Sequence, residues 1–146
     1  MELFSMQHSG LATHRLERAK EHFQSAKELL ANNHFLDSVS RSYYAVFTAA
    51  RAVLAIVDKD SAKHSGVISL FDQHFVKTGK ISSDASKIIH EAKEYREKAD
   101  YADYPEITKE IAGSELIKAE RFIQEVERYI EKLDSAGHKK VTVEER

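Results

Sequence analysis

The stretch FLDSVSRSYYAVFTAARAVLAIVD, residues 35–58, decides the fold. Within it Leu36, Val39, Tyr43, Val46, Ala50, Val53 and Val57 recur at steps of three and four, which places them on one face of a helix rather than on alternate faces of a strand. At 1.5 Å per residue such a helix is roughly 36 Å long. It is the most apolar segment of the chain and is expected to lie at the centre. Upstream, Leu16, Ala19, Phe23, Ala26 and Leu30 mark a first helix over about Thr13 to Asn32, and Asn32 and Asn33 suit its end. Downstream, His64, Ile68, Phe71 and Phe75 share a face of a shorter third helix, about Lys63 to Thr78, that stops at Gly79. A fourth helix, about Ser83 to Asp103, carries Ile88, Ala92, Tyr95, Ala99 and Ala102, and Pro105 blocks its continuation. Thr108 is the expected N-cap of a fifth, whose Ile111, Ala119, Phe122, Val126, Ile130 and Leu133 point inward until Gly137 ends the pattern.

No segment sustains the period-two alternation of a strand. The expected fold is therefore all-α, an antiparallel up-and-down four-helix bundle with an additional short helix. With 146 residues there is material for one core, expected over residues 12–134, with residues 1–11 and 135–146 as flexible tails.

Composition narrows the function. Lys and Arg number 22 against 24 Asp and Glu, a formal charge of −2, so any nucleic-acid contact needs a local basic patch. Cysteine is absent, which removes disulfides, thiolate nucleophiles and Cys-based zinc sites. The eight histidines form neither a Glu-x-x-His pair of the di-iron bundles nor a His-x-x-x-His zinc pair, so no metal ligands and no cofactor are assigned. No apolar run reaches the roughly 20 residues a membrane helix requires, and the N-terminal segment lacks the flanks of a signal peptide; a cytoplasmic protein without membrane contact is expected.

Three constellations stand out. Asp37, Arg41, Tyr44, Thr48 and Arg51 form a second, polar seam on the central helix, either a solvated face at the bundle surface with Arg stems lying along it or a face that meets a second subunit. Arg96, Asp100 and Asp103 share a face of the fourth helix beside the core-facing Tyr95; Arg96 there can grip a phosphate bidentately or pair with Asp100. Lys63 and His64 open the third helix, where free N–H groups favour an anion, although such a histidine more often satisfies a backbone group.

The segments Arg41-Ser42-Tyr43-Tyr44-Ala45-Val46-Phe47, Lys63-His64-Ser65-Gly66-Val67-Ile68 and Arg96-Glu97-Lys98-Ala99-Asp100-Tyr101, in that order, resemble the HEPN family. The match spans about Leu16 to Leu133. It implies a helical bundle that forms a homodimer, with Arg96 near the subunit groove, and a minimal nucleotidyltransferase as partner in a toxin–antitoxin pair. Nucleotide or RNA binding through Arg96, Asp100, Tyr104, Arg41, Tyr44, Lys63 and His64 follows as an expectation from the resemblance and the constellations together. Many family members resemble metal-independent ribonucleases whose motif is an Arg followed after four to six residues by a His. Here positions 101 to 103 hold Tyr101, Ala102 and Asp103. An imidazole with pKa near 6.5 can take a proton from a 2′-hydroxyl at neutral pH, whereas a phenol of pKa about 10 is only roughly 0.1% ionised. The alternative expectation is thus an endoribonuclease toxin that uses Arg96 with His64 or Tyr101 as base. In some related toxins the partner adds AMP to a tyrosine beside the motif, and Tyr101 and Tyr104 are the analogues here.

Overall fold

A computed structural model describes the backbone of residues 2–101, 103 and 106–144, with side chains over 10–101, 103 and 106–136. It contains α1 (Glu2–Ala31), α2 (Phe35–Ile56), α3 (His64–Phe71), a π-helical turn (Asp72–Val76), α4 (Ser83–Tyr101) and α5 (Lys109–Glu144), and no strand among the described residues. The expected all-α class holds. α2 packs against α1, α3, α4 and α5, while α5 also packs on α1 and α4. The central position read from its apolar seam is therefore the one it occupies.

Small residues set how closely the first two helices approach. Ala12, Ala19 and Ala26, seven residues apart on α1, are completely buried, as are Ala45, Ala49 and Ala52 on α2. Buried Ser38 donates its hydroxyl to the Ala26 carbonyl at 2.8 Å, which removes the desolvation cost of a hydroxyl in that seam. A second part of the core is aromatic. Phe71 lies 5.3 Å from Phe122 and Phe75 meets Tyr129 edge-on at 5.7 Å, fixing the third segment by rings rather than by length.

Three helix ends share one device. Asn33, Asp58 and Gly79 have φ of 64°, 56° and 75°, and after each the next residue's N–H returns five positions, to the carbonyls of Leu29, Leu54 and Phe75. Thr108 caps α5 as expected, its hydroxyl accepting from the Ile111 N–H at 3.2 Å.

Several boundaries differ from the expected ones. α1 already begins at Glu2 and α5 passes through Gly137 to Glu144, because a single glycine costs only about 1 kcal/mol inside a long helix. The third segment is not one α-helix: after Phe71 the hydrogen bonding shifts to Lys77 N–H to Asp72 carbonyl, 2.8 Å, a five-residue step. Leu36 and Leu133, assigned inward, are 37% and 38% exposed at the ends of their stripes. Ala102 and Pro105 lie outside the described residues.

Candidate functional site

The site grows from two adjacent tyrosines. Tyr43 belongs to the core stripe of α2 and is fully buried, while Tyr44, one residue on and 100° around the helix, is half-buried at its edge. α4 crosses there and lays Arg96 across both. The guanidinium carbon is 5.8 Å from the Tyr43 ring centre and 5.5 Å from that of Tyr44, and Nη2 donates to the Tyr44 hydroxyl at 3.1 Å. Asp100 approaches Nε to 2.9 Å, yet Nε is buried without a properly directed hydrogen bond, so this ion pair is electrostatic contact rather than a fork. The Arg96 side chain retains 22% exposure.

His64 completes the cluster from the start of α3. Its Nδ1 is 2.9 Å from the Tyr43 hydroxyl, and its ring stacks on Phe47 at 4.2 Å. Burial, then the charges of Arg96, Lys93 and Arg51, lower its pKa, so the imidazole is neutral at pH 7. Burial also pushes the Tyr43 phenol up to about 12 against the opposing pull of Arg96, which keeps that O–H protonated.

The loop that delivers His64 is held by Asp60. Its carboxylate accepts from Arg51 at 3.2 and 2.8 Å, from Arg15 at 3.3 Å and from the Ser61 N–H at 2.9 Å. The Arg51 hydrogen bond is the main reason the Asp60 pKa falls. Arg51, read from sequence as part of a polar seam at the bundle surface or facing a second subunit, is thus committed to this clamp. Gly66 explains itself here: a Cβ at that position would collide with the Ser61 side chain.

On the other side of Tyr44 lies an open groove of about 480 Å³ between α1 and α2, lined by His22, Leu29, Asp37, Ser40, Arg41 and Tyr44. Arg41 Nη1 is 3.3 Å from His22 Nδ1, and since a guanidinium only donates, Nδ1 accepts and the neutral ring carries its proton on Nε2. Burial, with Arg18 and Arg41, lowers the His22 pKa. His22 was not singled out from sequence, since only the register of α1 against α2 reveals that it faces Arg41.

Of the residues selected by sequence, Arg96, Tyr44 and His64 therefore gather around Tyr43, with Asp100 beside Arg96 and Arg41 across Tyr44. Lys63 stands at the N-cap position of α3 without a side-chain capping bond and is exposed. Tyr101, the last residue of α4, is 78% exposed and stands apart from the cluster. Tyr104 lies outside the described residues.

The HEPN domain family matches residues 12–129, a span that contains the whole of this cluster. The chain belongs to the HEPN family. A relative in Thermotoga maritima, named "UPF0332 protein", is 37% identical over 105 residues, 72% of this chain and 80% of that protein. Two from Methanocaldococcus jannaschii, each named "Putative toxin", are 40% and 38% identical over 108 residues, in both cases 73% of this chain, and cover 79% and 73% of their own lengths. Among the described residues of this HEPN chain, no helix is long and apolar enough to cross a membrane.

Proposed function

We propose that this HEPN protein is a toxin-type module of the cytoplasm that binds a nucleotide or RNA phosphate at Arg96 and acts with a minimal nucleotidyltransferase partner. The helix order and short connections support an up-and-down bundle for its 12–134 domain, and the resemblance supports a homodimer. One observation carries the binding reading: a guanidinium oriented by Tyr44 and the Tyr43 ring, partly open to solvent, and poorly matched to its own aspartate. Such a group gains most from an incoming anion, because the internal pair it gives up is weak and a phosphate oxygen restores a directed bond. Exposed Tyr101 suits covalent modification by the partner.

The test is binding of a fluorescent oligoribonucleotide. Arg96→Ala is expected to weaken it about tenfold, consistent with loss of a charged hydrogen bond, while circular dichroism stays unchanged; equal affinity in the variant would falsify the role of Arg96. The partner arm is incubation with the cognate transferase and ATP, where adenylation reads as a mass gain that Tyr101→Phe or Tyr104→Phe removes.

A specific observation favours a second reading, the metal-independent ribonuclease. His64 lies beside Arg96 and is neutral at pH 7, the state a general base requires. It acts as base only if Nδ1 donates to the Tyr43 oxygen and leaves Nε2 unprotonated. RNA cleavage that survives chelator and disappears in both Arg96→Ala and His64→Ala selects this reading over simple binding.

A further inference from the structure

A second groove, of about 280 Å³, opens between the third segment and α4, lined by Ser65, Ser69, Asp72, Lys77, His90 and Lys93. Two polar stripes build it. Ser65, Ser69 and Asp72 follow one another at four and three residues along α3 into the π-helical turn, and His90 and Lys93 are three residues apart on α4. The π-helical turn matters to this composition. In a regular α-helix Lys77 would stand about 140° around the axis from Asp72; the five-residue hydrogen bond between them, 2.8 Å, brings the lysine back onto the groove side.

The one carboxylate in the groove is already engaged. Asp72 accepts from the Ser86 hydroxyl at 2.7 Å and meets His90 Nε2 at 2.8 Å. Lys93 is 3.7 Å from Glu97, a distance that leaves its ammonium without a short bond there. Lys77 is exposed. The wall therefore combines hydroxyls, which can donate to an anion, with two ammonium groups, and its one carboxylate has a partner on each oxygen.

This groove neighbours the Arg96 cluster along both of its walls. Ser65 follows His64 in the chain, and Lys93 precedes Arg96 by one helical turn and is among the charges that act on His64. Along α4 the distance from Arg96 to His90 is about 9 Å of helix rise, more than one phosphate group spans.

We propose that the groove is a second phosphate subsite, so that the ligand of this face is an RNA strand of two or more nucleotides running from Arg96 past Lys93 towards Lys77 and His90, and not a mononucleotide. The inference rests on the reading of Arg96 as a phosphate-binding residue and adds to it a second contact point and a minimum strand length. Hydroxyl groups and two lysines without an aromatic platform in this groove fit backbone contact, which is tolerant of sequence.

The experiment is fluorescence anisotropy with labelled oligouridylates of one, two, four and eight nucleotides at several salt concentrations. Affinity is expected to rise at least tenfold between one and four nucleotides. Lys77→Gln, at an exposed position, and Lys93→Gln, at a half-buried one, are each expected to shrink that rise by several-fold and to lower the salt slope by about 0.7 for each phosphate that is no longer neutralised. An equal charge change at exposed Lys132, Lys132→Gln, is expected to preserve the rise. Affinity that does not depend on length, or a rise that survives in the Lys77→Gln Lys93→Gln double variant, overturns the subsite. Arg96→Ala separates the two claims: if it leaves mononucleotide binding intact while the lysine variants still abolish the length dependence, the reading of Arg96 fails and the groove stands.

Discussion

At the scale of single residues, the informative groups are those whose surroundings fix their proton. His64 has a protonated phenol on Nδ1, and its chemistry depends on which partner donates. If Tyr43 donates, the outward nitrogen carries hydrogen and His64 can only give a hydrogen bond to a phosphate; if Tyr43 accepts, the outward nitrogen is a base. Histidine ¹⁵N shifts distinguish these states directly. The binding reading expects Nε2–H, with the ring titrating below 6.5. Glu115 offers a separate test. It is 4% exposed, and burial together with Glu91 raises its pKa to about 7 despite Lys118 nearby. Because the folded value exceeds the ordinary 4.5, the carboxyl contributes to stability while protonated. That contribution is full below about 4.5 and is lost as the pH rises through 7. Thermal unfolding should therefore move to lower temperature between pH 5 and pH 8, and Glu115→Gln should flatten this slope. At pH 8 the variant is expected to be more stable by on the order of 2 kcal/mol; a slope unchanged by the substitution would count against a buried, protonated Glu115.

At the scale of elements, what the sequence made legible was periodicity and punctuation. The stripe from Val39 to Val53 placed α2 at the centre, Asn33 and Gly79 marked true ends, and Thr108 capped α5. What stayed hidden depended on contacts between segments far apart in the chain. The Asp72, Ser86 and His90 group joins residues 14 and 18 positions apart, and the π-helical turn has no compositional mark of its own. The candidate site divides the same way. Arg96, Tyr44 and His64 were singled out one helix at a time, whereas Tyr43 as the group that joins them, and His22 across the groove, required the packing. Gly66 shows how an element inherits its position from a loop. Any side chain there meets Ser61, whose hydroxyl also receives the Lys63 N–H at 3.2 Å. Gly66→Ala is expected to destabilise by roughly 1–3 kcal/mol, the range for overpacking, and to displace His64. Adding Ser61→Gly should recover part of the loss. A double-mutant cycle in denaturant tests the coupling, and additive effects would mean that the collision is relieved elsewhere.

At the scale of the whole molecule, the question is how much chain the fold needs. Described core residues run from Ala12 to Ile130, and the family match runs from 12 to 129. Yet α1 and α5 contain 30 and 36 residues, about 45 and 54 Å of helix, against about 33 Å for the 22 residues of α2. Isolated helical turns are marginal in water, and the described core residues all lie inside residues 12–130. A fragment of residues 12–134 should therefore unfold cooperatively with a midpoint within about 5 °C of the full chain, the shift expected from roughly 1 kcal/mol. Light scattering on the same pair asks whether the ends serve association: the full chain has a mass of 16.6 kDa per copy, and the proposed homodimer doubles it. If the fragment keeps the dimer mass, the interface lies within the 12–134 bundle, as the proposed placement of Arg96 beside the subunit groove requires. If it falls to the monomer mass while the midpoint holds, the helix ends carry the association and the Arg96 cluster must bind its ligand within one subunit.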